Sequence, residues 1–333
     1  MREAKYYEVH GDEGIGCRLC PKCCVIRPGH AGFCRVRQNH GGRLYAAGFG
    51  RVTSYGLDPI EKKPLYHFWP GSFILSFGAV GCNLRCRFCQ NWTTVHGNPE
   101  TLEITPQEAV SLALEAKGRG VPNAGIAYTY SEPLVWYEFV LETARLAKVA
   151  GLKNVLVTNG YINQAPLREL LDYIDAMNID IKGFTEDYYR NYCAGGLAPV
   201  LRTVEIARER NCHVELTNLL VTGLNDSPAE IQELTDWAAA LDSEIPLHFS
   251  RYFPNFEMDL PATPPATLRL AESIAKAKLP YVYIGNAPEL GKQNTYCPSC
   301  GNLLINRTGY QTELTGLQGK KCHKCGNSIS IIS

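Results

Sequence analysis

Short apolar runs and longer amphipathic stretches alternate through the middle of the chain. Runs of strand length lie at Phe73 to Phe77, Gly125 to Tyr128, Asn154 to Thr158, Ala176 to Ile181, His213 to Leu220, Leu247 to Arg251 and Tyr281 to Ile284. Between them, Leu134 to Ala150, Pro166 to Tyr173, Val200 to Arg210, Pro228 to Leu241 and Thr267 to Ala277 carry apolar residues at helical spacing. An earlier helix opens at Thr105-Pro106-Gln107-Glu108, with Thr105 as N-cap and proline at the first helical position. Strands that alternate with helices of this length predict a parallel sheet with crossover helices. Six to seven such units suit an α/β fold of the incomplete (β/α) TIM-type barrel kind better than a doubly wound sheet. Leu44 to Val52 and Tyr66 to Trp69 read as two further short strands in a Gly-rich connection.

In barrels of this kind the active site lies at the C-terminal ends of the strands. Those ends are polar throughout. The second strand runs into Tyr128-Thr129-Tyr130-Ser131-Glu132-Pro133 and the third into Thr158-Asn159-Gly160. The fourth carries Asn178 and Asp180 with Lys182, the fifth leads to Thr217-Asn218, and the sixth holds His248, Ser250 and Arg251. Singly each has an ordinary explanation in turns and caps; their recurrence at one edge points to a site. The aromatic-rich segment from 248 to 261 is placed to line a cleft or to belong to the core.

At 333 residues the chain can bury a large core, and Lys plus Arg equals Asp plus Glu, 33 against 33. No global field therefore recruits nucleic acid or an anionic membrane. No apolar window approaches a membrane span, and the first residues lack the apolar run of a signal peptide, so a cytoplasmic location is expected. Fourteen cysteines fall at 17 to 34, 82 to 89 and 297 to 325, with Cys193 and Cys212 apart as ordinary buried side chains. In a reducing compartment such clusters bind metal instead of pairing as disulfides. The divisions expected are a Cys-rich metal-binding segment over 1–69, the barrel over 70–290 and a four-cysteine module over 291–333.

The loop after the first strand reads GCNLRCRFCQNW and sets Cys82, Cys86 and Cys89 in C-x3-C-x2-C spacing. A cubane iron–sulfur cluster takes four cysteines, one per iron. Three on one loop hold such a cluster and leave one iron open to an outside ligand. A structural zinc site would need a fourth Cys or His, and His96 lies seven residues beyond Cys89. Near the N-terminus, Cys17, Cys20, Cys24 or its neighbour Cys23, and Cys34 supply four sulfurs; Cys24 is the favoured ligand of the two. Spacing leaves zinc and an auxiliary iron–sulfur cluster equally open there. Near the C-terminus, Cys297, Cys300, Cys322 and Cys325 form two C-x2-C-G knuckles around a hairpin turning at Thr308-Gly309. That is a zinc-ribbon or rubredoxin-like module, with zinc the first choice and rubredoxin-type iron the second. It is expected near or over the barrel mouth.

The spacing at 82 to 89, with Phe88 before the last cysteine, resembles the radical S-adenosylmethionine (SAM) superfamily. The resemblance implies that the open iron of a 4Fe-4S cluster chelates SAM and that one electron cleaves it to a 5′-deoxyadenosyl radical. YTYSEP at 128 to 133 is similar to the element of activating enzymes that meets the SAM amino group, with Thr129-Tyr130-Ser131 in place of glycines. Asp180-Ile181-Lys182 resembles their D-V-K motif, and His248 stands where that branch has a strand-end histidine. The resemblance thus implies that Phe88, Thr129, Glu132, Asn159, Asp180, Lys182 and His248 position SAM. CNLRCRFCQNW, AYTYSEP, TNG, HFSRYFP, YIGN and TYCPSCG together resemble the radical SAM component of the AmmeMemoRadiSam system, from about Cys17 to Tyr310. This implies a low-potential electron donor of flavodoxin or ferredoxin type and partner proteins of AMMECR or Memo type. A glycyl-radical activase, a protein-modifying maturase and a small-molecule enzyme all fit. The rival of another class is a non-catalytic metal scaffold or electron carrier, for which the polar strand ends have no purpose.

Overall fold

The computed structural model describes residues 1–11, 14–118 and 120–333. Seven parallel strands form its centre: β1 (Phe73–Ala79), β2 (Asn123–Thr129), β3 (Lys153–Thr158), β4 (Ala176–Asp180), β5 (His213–Leu220), β6 (Leu247–Arg251) and β7 (Val282–Gly285). They are neighbours in chain order. The crossovers carry α1 (Pro106–Gly118), α2 (Tyr137–Val149), α3 (Gln164–Leu171), α4 (Leu197–Glu209), α5 (Pro228–Leu241) and α6 (Pro265–Lys276). Local chemistry fixes several helix starts. Thr105 and Glu108 cap α1 reciprocally, Glu108 N–H donating to Thr105 Oγ1 at 3.2 Å and Thr105 N–H to Glu108 Oε2 at 2.7 Å.

The sheet does not close. β7 is one end, and at the other an antiparallel strand, Arg51–Pro59, pairs with β1 along its length and then with Leu102–Glu103. This strand corrects the expected one over Leu44 to Val52, which breaks at a turn after Arg43–Ala46. It also joins 51–59, expected with the Cys-rich segment, to the barrel sheet. Tyr66 to Trp69 is no strand; Phe68 makes a single bridge to Ile332.

Residues 60–69 instead plug the curled sheet. Ile60, Leu65 and Phe68 pack with Ile74, Ala127, Val155 and Ala176. Asn178 Nδ2 donates to Pro64 O at 2.8 Å. The backbone N–H groups of Tyr66 and His67 donate to the Glu215 carboxylate at 2.9 and 2.7 Å. His213 and His248 bring Nε2 to that carboxylate at 3.0 and 2.8 Å.

The C-terminal residues form a small sheet from Thr295–Tyr296, Leu303–Thr308 and Gln311–Leu314. Its apolar face packs on Tyr66 of the plug and on Tyr281 and Tyr283 of the last strand region. Arg307 donates to Tyr66 O at 2.7 Å and lies 4.2 Å over its ring. The module therefore sits against the plug and the edge at β7, not over the mouth, because those tyrosines offer the apolar surface it has to cover.

Burial opposes charge on Glu215, but the hydrogen bonds from His213 and His248 more than offset it and hold the carboxyl well below the usual range. A depressed pKa contributes stability above the unfolded value, about 4.3, and that contribution is lost as the pH falls below it. Glu215→Ala should cost about 3–5 kcal/mol by leaving buried donors unpaired. Glu215→Gln should flatten the acid limb of a urea-melt series; an acid limb unchanged from wild type would refute the role.

Candidate active site

Residues 80–91 leave β1 without regular structure. Gly81 takes φ +90°, and a Cβ there would lie 2.7 Å from Cys34 O, so only glycine lets the chain start this loop against the N-terminal segment. Main-chain bonds then fix its course. Arg85 N–H donates to Cys193 O at 2.8 Å, Arg87 N–H to Tyr192 O at 2.9 Å, and Glu257 N–H to Arg87 O at 2.9 Å. Cys193 is fully buried beside the loop. Phe256, in the aromatic segment, stacks on Trp92 and His96 with centroids 5.3 and 5.4 Å away.

The loop opens on a cleft of 320 Å³, to which all seven strand ends contribute. Cys82, Cys86, Cys89 and Phe88 line it, as do Thr129, Glu132, Asn159, Asp180 and Lys182. The expected set thus comes together with one exception. His248 is not among the lining residues; it lies buried on Glu215, with its ring 5.1 Å from that of Tyr283. It follows Leu247 at the start of β6, while Ser250, two residues on along the same face, reaches the cleft.

Glu132 ties two strand ends together. Its carboxylate accepts from Leu134 N–H at 2.9 Å, Thr158 Oγ1 at 2.6 Å and Asn159 N–H at 2.8 Å. Burial nonetheless pushes its pKa up to about 7. Lys182 Nζ lies 2.6 Å from Asp180 Oδ2. Burial works against its charge, but Asp180 outweighs that and keeps the ammonium form favoured. Cys82 Sγ accepts from Leu84 N–H at 3.3 Å and from Asn159 Nδ2 at 3.5 Å, bonds that suit a metal-bound thiolate.

One wall of the cleft has no signature in the sequence. Lys63, almost wholly buried, brings Nζ to 2.6 Å from Asp58 Oδ2 and lies 4.5 Å over the Tyr130 ring, whose hydroxyl also donates to Asp58. Burial lowers the Lys63 pKa to about 8 against the pull of Asp58. Lys63 and Tyr130 both line the cleft. Lys63 comes from the plug, outside the alternation of strand and helix, and left no pattern to find. Tyr130 itself takes φ +66°, the left-handed backbone that glycine adopts freely.

The four C-terminal thiols form a separate group, with all ligand atoms within 4.8 Å of one another. Cys297 and Cys325 Sγ are 3.6 Å apart, Cys300 and Cys322 Sγ 3.7 Å. Sulfurs about 2.3 Å from one tetrahedral ion are separated by roughly 3.8 Å, so the group fits a single metal ion. Gly301 and Gly326, at φ +69° and +76°, close the two knuckles. Cys17, Cys20, Cys23, Cys24 and Cys34 line a second, smaller hollow beside Asn83.

Three thiols on a strand-end loop face an open cleft at the top of a parallel sheet, and the stretch of chain that carries them belongs to the Radical SAM superfamily. The model of the Radical SAM superfamily matches residues 78–238. Over its whole length the chain is 44% identical to the uncharacterized protein MJ0808 of Methanocaldococcus jannaschii, 340 aligned residues covering 100% of each. It is 26% identical over 175 residues to the pyruvate formate-lyase 1-activating enzyme of Escherichia coli, covering 50% of this chain and 69% of that one. Streptococcus suis SuiB bound to precursor peptide SuiA superimposes with a TM-score of 0.52 at 14% identity, over 71% of this chain and 54% of SuiB, which shows the shared fold. Among the described residues no helix is long and apolar enough to cross a membrane.

Gly81→Ala should disturb the loop through both its φ and the contact with Cys34 O, at a cost of about 1–3 kcal/mol. Its iron content after anaerobic reconstitution should fall below that of wild type; full iron loading at unchanged stability would contradict this account of the loop.

Proposed function

We propose that Cys82, Cys86 and Cys89 hold a 4Fe-4S cluster and that the cleft positions SAM against a substrate for hydrogen abstraction. The observation that carries this reading is the convergence of the three thiols and of every strand end on one cleft. When bound, the cluster supplies the electron that cleaves SAM to methionine and a 5′-deoxyadenosyl radical. The chain's own residues do the placing. Lys182, kept cationic by Asp180, faces the cleft as a partner for the SAM carboxylate. Glu132 fixes the 129–132 and 158–160 loops, whose polar groups then meet the amino and ribose groups. Leu84 N–H and Asn159 Nδ2 stabilise the Cys82 thiolate. Phe88, 6.0 Å from the Tyr188 ring, packs beside the site and helps exclude water. Lys63 and Tyr130, held by Asp58 behind them, present hydrogen-bonding groups to the substrate.

By likeness to activating enzymes the substrate is a protein C–H bond, and proteins of the AMMECR and Memo types, from the AmmeMemoRadiSam resemblance, are the partners to try first. Zinc is the proposed ion for Cys297, Cys300, Cys322 and Cys325, where it would hold the two knuckles together at the edge of the barrel.

Reconstituted protein given SAM and dithionite should release 5′-deoxyadenosine, and Cys86→Ala should release none while keeping its circular dichroism. A fully loaded wild type that releases none would overturn the reading. Lys182→Ala removes one charged hydrogen-bond donor, worth about 1.5–3 kcal/mol. SAM should then bind roughly ten- to a hundredfold more weakly in equilibrium dialysis.

A further inference from the structure

We propose that Cys17, Cys20, Cys24 and Cys34 hold a second iron–sulfur cluster of the 4Fe-4S class, beside the loop that carries Cys82. Its metal is argued independently of the proposed function; its role as an electron carrier rests on that function.

The room between the sulfurs separates iron–sulfur from zinc. Zinc about 2.3 Å from each of four sulfurs leaves no space for a water-sized sphere among them. At the C-terminal group the sulfurs meet in pairs at 3.6 and 3.7 Å. The N-terminal cysteines instead surround a hollow that admits such a sphere, as thiols set around a multi-atom core must. Cys17, Cys20 and Cys34 are buried and Cys24 is half-buried, so three of the four thiols are shielded from solvent.

The donors around the hollow fit the same occupant. Arg37 lines it and is 1% exposed. Two of its guanidinium nitrogens are used, Nη1 on Glu138 at 3.0 Å and Nη2 on Lys5 O, but Nε has no partner. A buried unpaired N–H is costly, and a bridging sulfide or thiolate is an acceptor that would satisfy it. Lys22 also lines the hollow and adds positive charge to offset that of a tetrathiolate cluster.

The hydrogen bonding also chooses between the adjacent cysteines. Cys24 Sγ accepts from Phe33 N–H at 3.4 Å, the bond that metal-bound thiolates receive. Cys23 also lines the hollow, but it is exposed and its thiol donates to Cys20 O at 3.6 Å. Cys24 is the fourth ligand.

The hollow adjoins the barrel site. Asn83, next to Cys82, lines it, and its Oδ1 accepts from Asn159 Nδ2 at 3.0 Å, the same amide that reaches Cys82 Sγ. With four cysteine ligands the second cluster has no open iron, so it suits electron transfer. One electron from a flavodoxin- or ferredoxin-class donor would reduce it, and passing that electron to a cluster held by Cys82, Cys86 and Cys89 would restore its oxidised state.

The test uses the full chain, reconstituted anaerobically, as wild type and as Cys82→Ala/Cys86→Ala/Cys89→Ala, with iron, sulfide and zinc counted. The triple variant should keep about four iron and four sulfide per chain and wild type about twice that. A triple variant with no iron, whether zinc takes its place or nothing does, overturns the proposal. Equal iron in both proteins would sink the barrel-loop assignment and leave the N-terminal cluster standing. Cys23→Ala should keep all the iron of wild type, and Cys24→Ala should lose about half; the reverse overturns the ligand assignment. In reduced wild type the two paramagnetic signals should broaden each other relative to the triple variant, and simple addition would refute the electron-carrier role.

Discussion

A carboxylate removed from water survives only where donors surround it, and Glu215 organises the lower half of this molecule on that condition. Its partners come from β5, from β6 and from the plug: two imidazoles and two backbone N–H groups. The plug is thereby held inside a sheet that has no neighbour to close it. His67, in the plug, passes the connection on, with Nε2 2.7 Å from Tyr283 OH, which in turn meets Thr295 Oγ1 at 2.9 Å. One buried charge thus fixes the floor of the barrel and the seat of the C-terminal module. With the floor filled, the strand ends above it are left to form the cleft.

The cleft depends on a second constraint, which is that an irregular loop bearing three thiols has to be held by its surroundings. Carbonyls of residues 192 and 193 and the segment around Glu257 supply main-chain bonds to it. On the other side Asn91 Nδ2 stitches the Tyr130 turn to the loop by donating to Tyr130 O at 2.8 Å, and Ala79 N–H at the end of β1 donates to Ser131 Oγ at 3.2 Å. Left-handed backbone costs a tyrosine about 1–3 kcal/mol. The Tyr130 side chain recovers part of that cost through Asp58 and the Lys63 ammonium over its ring. A glycine would adopt the same turn without strain but would leave Lys63 and Asp58 without that ring and hydroxyl. The departure from a glycine-rich turn therefore goes together with the polar wall beside it.

The seven strands and six helices were legible in the sequence because each parallel strand is buried on both faces and each helix on one, and burial writes a period into the residues. The polar strand ends were legible for the converse reason. Arg51–Pro59 was not: an antiparallel strand at the side of the sheet, reading RVTSYGLDP, mixes polar and apolar residues and carries a glycine. Lys63 and the plug were hidden because their burial is satisfied by specific ion pairs and hydrogen bonds, which have no period. His248 shows the limit of reading a strand by residue type. The face of β6 that carries it is the correct one, but it lies one step too low, and the depth at which a side chain meets the cleft is set by the stagger of neighbouring strands and by the plug.

The three cysteine groups carry this lesson to their chemistry. A C-x2-C knuckle begins both the N-terminal and the C-terminal sets, and although only the C-terminal set ends on a second one, spacing along the chain gives the sulfur separation of neither. Sulfur separation is instead a property of what packs around the knuckles. At the C-terminus short hairpins draw two knuckles together, and the sulfurs meet at the spacing of one ion. At the N-terminus the third and fourth sulfurs come from a loop that rests on the barrel, where Cys34 abuts Gly81 and Arg37 is anchored by Glu138 of α2. The fold, not the knuckle, keeps those sulfurs around a hollow and leaves one Arg37 N–H without a partner. On the reading proposed above, the scaffold that also carries Cys82 would hold two redox centres in one rigid arrangement.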